Sequence, residues 1–295
     1  MNLSIEPTTA CNLRCPECPS GLRSFTRPTG RISEALYEQL IDQVAAHTLY
    51  LTLYFQGEPY LHPHFTHLVQ YASRKGIYTA TSTNAHFLNS KRAEATVRSG
   101  LSRLIISIDG VTQQTYEAYR REGKLEKVLE GAKNIIYWKK KLKSSTPHVI
   151  FQFLVVKPNE HEIPELHQLA KAIGADEVQL KTAQIYDYKN GSPLIPENTR
   201  YSRYKQLPNG KWVIKNNLLN QCWKMWAGCV ITWDGKVVPC CFDKDASHTV
   251  GNLTTESFHE VWNSEAYQRF RAQLLTGRSQ IEMCKNCTEG TKVFG

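Results

Sequence analysis

Between Leu3 and Lys181 the chain repeats one rhythm six times: a short apolar or β-branched run, then an amphipathic stretch with helical spacing. Leu3–Glu6, Tyr50–Tyr54, Tyr78–Thr81, Arg103–Ile108, Val149–Val156 and Glu177–Lys181 predict strands. Ser33–Ala46, Phe65–Lys75, Ser90–Ser99, Leu125–Lys143 and Ile163–Ile173 predict helices, and Gly76, Gly100 and Gly174 stand where helices stop. Strands joined by right-handed helical crossovers pair in parallel, which constrains the chain to an α/β fold. We expect a partial (β/α)6 sheet curved toward a TIM-like barrel, with ligands bound at the carboxyl ends of its strands.

The unusual residues fall at those ends. Cys11, Cys15 and Cys18 follow the first strand, Gln56-Gly57-Glu58-Pro59 the second and Ser82-Thr83-Asn84 the third. Ser107 and Asp109 close the fourth, Pro158-Asn159-Glu160 follows the fifth, and Lys181 ends the sixth. Three thiolates in one loop can hold three irons of a cubane and leave the fourth open, and an open position marks a reactive rather than a structural metal centre. Tyr54, His62 and Lys181 are candidates at the mouth for proton transfer. His62, His64 and His67 have a spacing that could ligate zinc, but no carboxylate or cysteine completes a site beside them in sequence, so they read as loop and helix-start residues.

After Ala183 the rhythm stops. Asn190-Gly191-Ser192-Pro193 and Leu207-Pro208-Asn209-Gly210 read as turns, and Asp234-Gly235 between two apolar runs predicts a hairpin. One amphipathic helix from Ser257 to Leu275 is expected to lead to Cys284-Lys285-Asn286-Cys287. The expected organisation is a partial barrel over residues 1–185, a linker over 186–215 and a small α+β domain over 216–295. Five of the six tryptophans, at 212, 223, 226, 233 and 262, lie in the last third, where a small domain needs large side chains to build a core.

Cysteine usage bears on the compartment. An odd count of nine, tight Cys-x2-Cys spacings and no apolar signal segment favour reduced, metal-binding thiolates and a cytoplasmic location over disulfides. No apolar run is long enough to span a membrane. The formal charge of +9 raises nucleic acid as a partner, but the densest basic run, Lys139-Lys140-Lys141-Leu142-Lys143, ends a predicted helix. Cations there favour the helix dipole, so a solvated face is expected and no nucleic acid partner.

Cys-x3-Cys-x2-Cys after the first strand of a βα chain, with the mouth motifs in order behind it, resembles the radical S-adenosylmethionine (radical SAM) superfamily. The resemblance implies a [4Fe-4S] cluster on Cys11, Cys15 and Cys18, with SAM chelating the open iron and being cleaved to a 5′-deoxyadenosyl radical. Gln56-Gly57-Glu58-Pro59 is similar to the family's Gly-Gly-Glu segment, in which Glu58 would accept from the SAM ammonium and Gly57 would allow close backbone approach. Ser82, Thr83, Asn84, Ser107 and Asp109 match the family's ribose and carboxylate contacts. Glu17 departs from the pattern, because many relatives carry an aromatic residue there against the adenine.

The stretch Cys229 to Cys241, the Val250-Gly251-Asn252-Leu253 turn, Val261-Trp262-Asn263 and Cys284-x2-Cys287 resemble the SPASM/Twitch extension of these enzymes, which carries auxiliary iron–sulfur clusters. Eight residues follow Cys287 (295 − 287), which points to one auxiliary [4Fe-4S] cluster, the Twitch arrangement. The resemblance implies Cys222, Cys240, Cys284 and Cys287 as its ligands, with Cys229 and Cys241 as rivals for Cys222 and Cys240. Four thiolates leave no iron free, so electron transfer is the expected role. The implied chemistry is oxidation of a substrate after hydrogen abstraction, with a donor such as flavodoxin or ferredoxin feeding the first cluster. Relatives include aminocyclitol dehydrogenases and maturases of peptides. The position of Cys11 near the start tilts the expectation toward a small polar metabolite such as a sugar or cyclitol, with a peptide as the alternative. A non-catalytic zinc protein is the competing class, which explains the cysteines but not the mouth motifs.

Overall fold

The computed structural model describes residues 1–215 and 217–288. Its first six strands are β1 (Asn2–Ile5), β2 (Tyr50–Thr52), β3 (Tyr78–Thr83), β4 (Arg103–Ser107), β5 (His148–Val155) and β6 (Glu177–Thr182). They pair in parallel in sequence order, as right-handed crossovers require. Asn89 caps the helix Ser90–Arg98 by accepting from Arg92 N, and a reciprocal box at Thr112 and Thr115 opens the helix Gln113–Tyr119. Alternation along each strand separates two faces. Leu3, Ile5, Leu51, Val149, Phe151 and Phe153 pack against the helices, each contributing about 1.5–3 kcal/mol on burial, while Ser4, Thr52, Ser82, Gln152 and Lys181 alternate with the core-facing positions and stand on the concave face.

The sheet has nine strands and is open, not a closed barrel. Strands β7 (Tyr204–Gln206) and β8 (Trp212–Ile214) form a separate hairpin, and β9 (Val230–Ile231), β10 (Lys236–Val238) and β11 (Gly251–Asn252) extend the main sheet beyond β1. The predicted turn at Asp234-Gly235 joins β9 to β10, with Gly235 in the left-handed region at φ +83°. β9 pairs in parallel with β1, placing Val230 beside Ser4 and Ile231 beside Ile5. This approach is close: a side chain at Gly228 would put its Cβ 1.7 Å from the Asn2 carbonyl oxygen. The C-terminal cysteine region is thus built onto the edge of the sheet.

Two expectations need correction. The single helix over Ser257–Leu275 is two helices, Phe258–Asn263 and Glu265–Gly277, because Ser264 turns extended (ψ 152°) and caps the second by accepting from Tyr267 N. The expected linker over 186–215 holds the β7–β8 hairpin and part of a second core, in which Ile195 and Tyr204 pack with Leu13, Cys15, Tyr119 and Ile185. That segment therefore covers the first cysteine loop. Of the expected third domain, Asn216 and residues 289–295 lie outside the described residues.

Candidate functional site

The first cysteine loop runs from β1 to the short helix Pro19–Leu22, with Cys15 buried and Cys11 and Cys18 half-buried. Burial pushes the Cys11 thiol up to about 11, partly offset by the Leu13 N–H, and the charges of Glu58, Cys15 and Cys18 push it the same way. Cys15 is raised by burial against the opposing pull of Arg120. For Cys11 and Cys15, burial disfavours the thiolate unless a metal supplies the counter-charge, and three cysteines in one loop are a donor set that fits a cluster. Among the described residues no three His, Cys, Asp or Glu side chains close up around one metal ion, whereas a cubane spreads its thiolates over separate irons.

Gly57 and Glu58 are zipped onto this loop. The Gly57 N–H donates to Ser20 Oγ (2.9 Å) and the Glu58 N–H to the Ala10 carbonyl (2.7 Å). Gly57 sits at φ +74°, where a Cβ would lie 2.3 Å from the Thr8 oxygen, so the position requires glycine. Glu58 is buried and accepts from Thr83 Oγ1 (2.6 Å), Asn84 N (2.8 Å) and Tyr60 N (3.2 Å). Burial raises its carboxyl and those three donors pull it back.

The structure redistributes the roles of the other expected contacts. The Thr83 hydroxyl is spent on Glu58, and the Asn84 carboxamide on Asn12 Oδ1 (2.8 Å) and the His86 N–H (3.1 Å). Asp109 is fully buried, with one oxygen accepting from Leu154 N (2.7 Å) and the other from Arg120 Nε. These hydrogen bonds tie the three side chains to Glu58, Asn12, His86, Leu154 and Arg120. Ser82 and Ser107 keep hydroxyls that meet each other, at 3.5 Å, on the concave face. Sequence reasoning missed Arg120, whose Nη1 lies 3.8 Å from Cys15 Sγ. The signal was available: the Thr112 cap fixes the helix Gln113–Tyr119, and Arg120 follows at once.

Of the three mouth candidates, His62 is buried with both ring nitrogens engaged. Its Nδ1 accepts from His64 N (3.2 Å), so Nε2 carries the proton and donates to the Ile32 carbonyl (2.8 Å). His67 meets Glu38 (2.7 Å) and shares Glu34 with His64 (3.6 and 3.7 Å), while both His62 nitrogens are engaged elsewhere, so the three histidines do not converge on one point. Burial pushes half-buried Tyr54 up to about 12, with Tyr50 and Cys241 nearby. Lys181 is exposed on β6. Glu17 accepts from the Tyr186 N–H (2.9 Å), and Lys244 Nζ donates to Tyr186 Oη (2.8 Å) and Gln184 Oε1 (3.4 Å). Burial holds the Lys244 ammonium below its ordinary range, although the charges of Cys18, Cys241 and Glu17 oppose this.

Cys222, Cys240, Cys284 and Cys287 line one apolar pocket with Met225, Phe242, Phe270, Leu274 and Met283. Arg278 ties both ends of it, donating from Nη1 to the Gln221 carbonyl (2.7 Å) and from Nη2 to Cys287 Sγ (3.5 Å). Cys229 lies instead in the main core, its thiol pushed up to about 12 by burial, and Cys241 is exposed and hydrogen-bonded to Cys240. The pocket fits a closed four-thiolate cluster in an apolar shell.

Residues 5–170 match the family model described as the radical SAM superfamily, more than half of the chain. The chain belongs to that superfamily. Residues 222–288 match the SPASM model, an iron–sulfur cluster-binding domain. Among curated proteins, this radical SAM protein is 25% identical to an AdoMet-dependent heme synthase of Methanosarcina barkeri, over 96% of the chain and 89% of the relative. It is 26% identical to the PqqA peptide cyclase of Gluconobacter oxydans, over the whole chain and 84% of the relative. Among solved structures, BtrN in complex with AdoMet and 2-DOIA has the same fold, with a TM-score of 0.60 and 21% identity over 98% of this chain and 95% of that one. The protein is thus an enzyme that uses a [4Fe-4S] cluster, SAM (AdoMet) and auxiliary iron–sulfur, and the zinc-protein alternative falls. No helix among the described residues is long and apolar enough to cross a membrane.

Proposed function

We propose that this protein oxidises a small polar metabolite, a sugar or cyclitol derivative, and that its four-cysteine site takes up the electron released. One cavity, apolar in much of its wall but studded with hydrogen-bonding groups, carries the reading. It starts at Pro19, next to Cys18, and runs to Phe242 and Met283, two side chains that also line the four-cysteine pocket. Gln184, Asp187, Lys189, Lys244 and Asp245 give it hydrogen-bonding groups of both signs, suited to a hydroxylated substrate. When bound, the loop cluster and SAM supply hydrogen-atom abstraction from an unactivated C–H bond.

The chain's own residues do the rest. Cys11, Cys15 and Cys18 hold the first cluster, and Cys222, Cys240, Cys284 and Cys287 a single auxiliary cluster. Gly57 lets the backbone approach SAM, Glu58 accepts from its ammonium, and Ser82 and Ser107 offer hydroxyls to its ribose. Leu13, Ile185, Ile195 and Tyr204 keep water from the back of the loop. Lys244 Nζ, on the cavity wall, accepts the proton of the substrate hydroxyl as the carbonyl forms. A cytoplasmic one-electron donor of the flavodoxin or ferredoxin class completes the reading.

The likeness to BtrN supports a small substrate, and the likeness to the PqqA peptide cyclase favours a peptide as the second reading. Anaerobically reconstituted protein is expected to hold about eight irons and eight sulfides and to release 5′-deoxyadenosine from SAM under dithionite. Screening sugars, cyclitols and short peptides for substrate-dependent acceleration of that release separates the two classes, and acceleration by peptides alone would overturn the first.

A further inference from the structure

We propose that the outer face of the first cysteine loop is the docking surface for an acidic one-electron carrier protein, an inference that rests on the radical SAM chemistry above. The loop has two unlike sides. Its inner side is closed by the second core, where Leu13 and Cys15 pack under Ile185, Ile195 and Tyr204. Its outer side opens into a cavity lined by Thr8, Thr9, Ala10 and Ser20 together with exposed Arg23 and Arg31, and no carboxylate among the described residues lines it.

Arginines continue past the cavity. Arg23 Nη2 donates to the carbonyl of Cys11, so an exposed guanidinium is one hydrogen bond from a cluster-bearing residue. On the far side of Cys11 the exposed Arg14 donates its N–H to the Arg121 carbonyl (3.1 Å), and Arg121 is also exposed. Glu122 meets Arg14 only at 3.8 Å, with both side chains largely in solvent, which neutralises little. Four exposed arginines, two on the cavity wall and two beyond Cys11, attract and orient an acidic partner, and they put part of the net charge of +9 to use. The step balances simply: the reduced carrier gives up one electron to the cluster and is itself oxidised by one.

The test uses the reconstituted enzyme and a bacterial flavodoxin, kept reduced by NADPH and its reductase, with dithionite as a second electron source. Arg14→Glu/Arg31→Glu should lower flavodoxin-driven 5′-deoxyadenosine release at least tenfold while dithionite-driven release stays within twofold. Oxidised flavodoxin should bind the wild type with an affinity that falls steeply from 50 to 300 mM salt, about tenfold or more, and bind the variant weakly at all salts. Equal loss in both arms, or flavodoxin binding that ignores both salt and the charge reversal, overturns the assignment. Wild type that makes no 5′-deoxyadenosine even with dithionite would strike the radical chemistry instead, and the binding isotherms would still judge the surface.

Discussion

Arg120 serves Asp109 and Cys15 at once, donating from Nε to the buried carboxylate while Nη1 lies 3.8 Å from the sulfur. The pair couples the fold to the metal site, because Asp109 is itself anchored by the Leu154 N–H. Arg120→Met leaves a buried carboxylate without its cation and should cost about 3–5 kcal/mol of stability. Chemical denaturation of the variant measures it. Adding Asp109→Asn should restore a good part, and a double variant no more stable than the single one would refute the pairing.

Glu58 is held by three donors with its carboxylate next to the loop, so its charge is available to a cationic ligand. Glu58→Gln keeps the shape and one acceptor oxygen, enough for Thr83 and Tyr60 or for Asn84 but not for both sides, and removes the charge. SAM binding should weaken by about 2 kcal/mol, roughly thirtyfold in Kd, as expected for a hydrogen bond to a charged group. Equilibrium binding of SAM to the reconstituted protein reads this directly, and an unchanged Kd would remove Glu58 from the site.

Pocket geometry separates the six downstream cysteines. Cys222→Ala and Cys240→Ala should each abolish the auxiliary cluster, lowering iron from about eight to about four per chain. Cys229→Ala and Cys241→Ala should leave the iron content intact, although the first creates a small core cavity. Iron analysis with low-temperature electron paramagnetic resonance would detect the opposite pattern, which would exchange the ligands.

Lys244 bears on pH. Burial lowers its pKa from the ordinary lysine value, so a larger fraction of the amine is neutral near pH 8 than for a solvated lysine. If it accepts the substrate proton, product formation falls as pH drops through that lowered pKa, while release of 5′-deoxyadenosine without product is affected less. Lys244→Met should cut product at least tenfold and flatten the profile, measured as the ratio of product to 5′-deoxyadenosine between pH 6.5 and 9. A ratio unchanged by the substitution would assign the proton elsewhere.

The six-strand sheet was legible because periodicity and glycine stops are local properties, and the predicted strands fall within two residues of β1 to β6 at each end. Cys222, Cys240, Cys284 and Cys287 could be picked out for the same pocket because the family pattern records their spacing. What escaped were pairings between distant segments. Tyr204 reads as one tyrosine in a turn-rich stretch, yet its hydroxyl bridges the Ile185 N–H (2.9 Å) and Asn286 Oδ1 (2.8 Å). Ser264 interrupts a helix whose apolar spacing continues through it, because a serine that caps beats propensity at that point. The partners of Thr83 and Asp109, Glu58 and Arg120, were not legible either, because a hydroxyl or carboxylate at a strand end carries no sign of which distant neighbour it meets.

The parallel contact of β9 with β1 sets an order for assembly in the cell. β1, synthesised well before β9, keeps one edge bare until Val230 and Ile231 leave the ribosome and cover it. The loop that follows β1 is likewise closed from behind only after Tyr204 has emerged. Iron delivered before that point would meet a first loop that still lacks the side chains which back it, so the order in which the segments emerge bears on when the loop can hold a cluster.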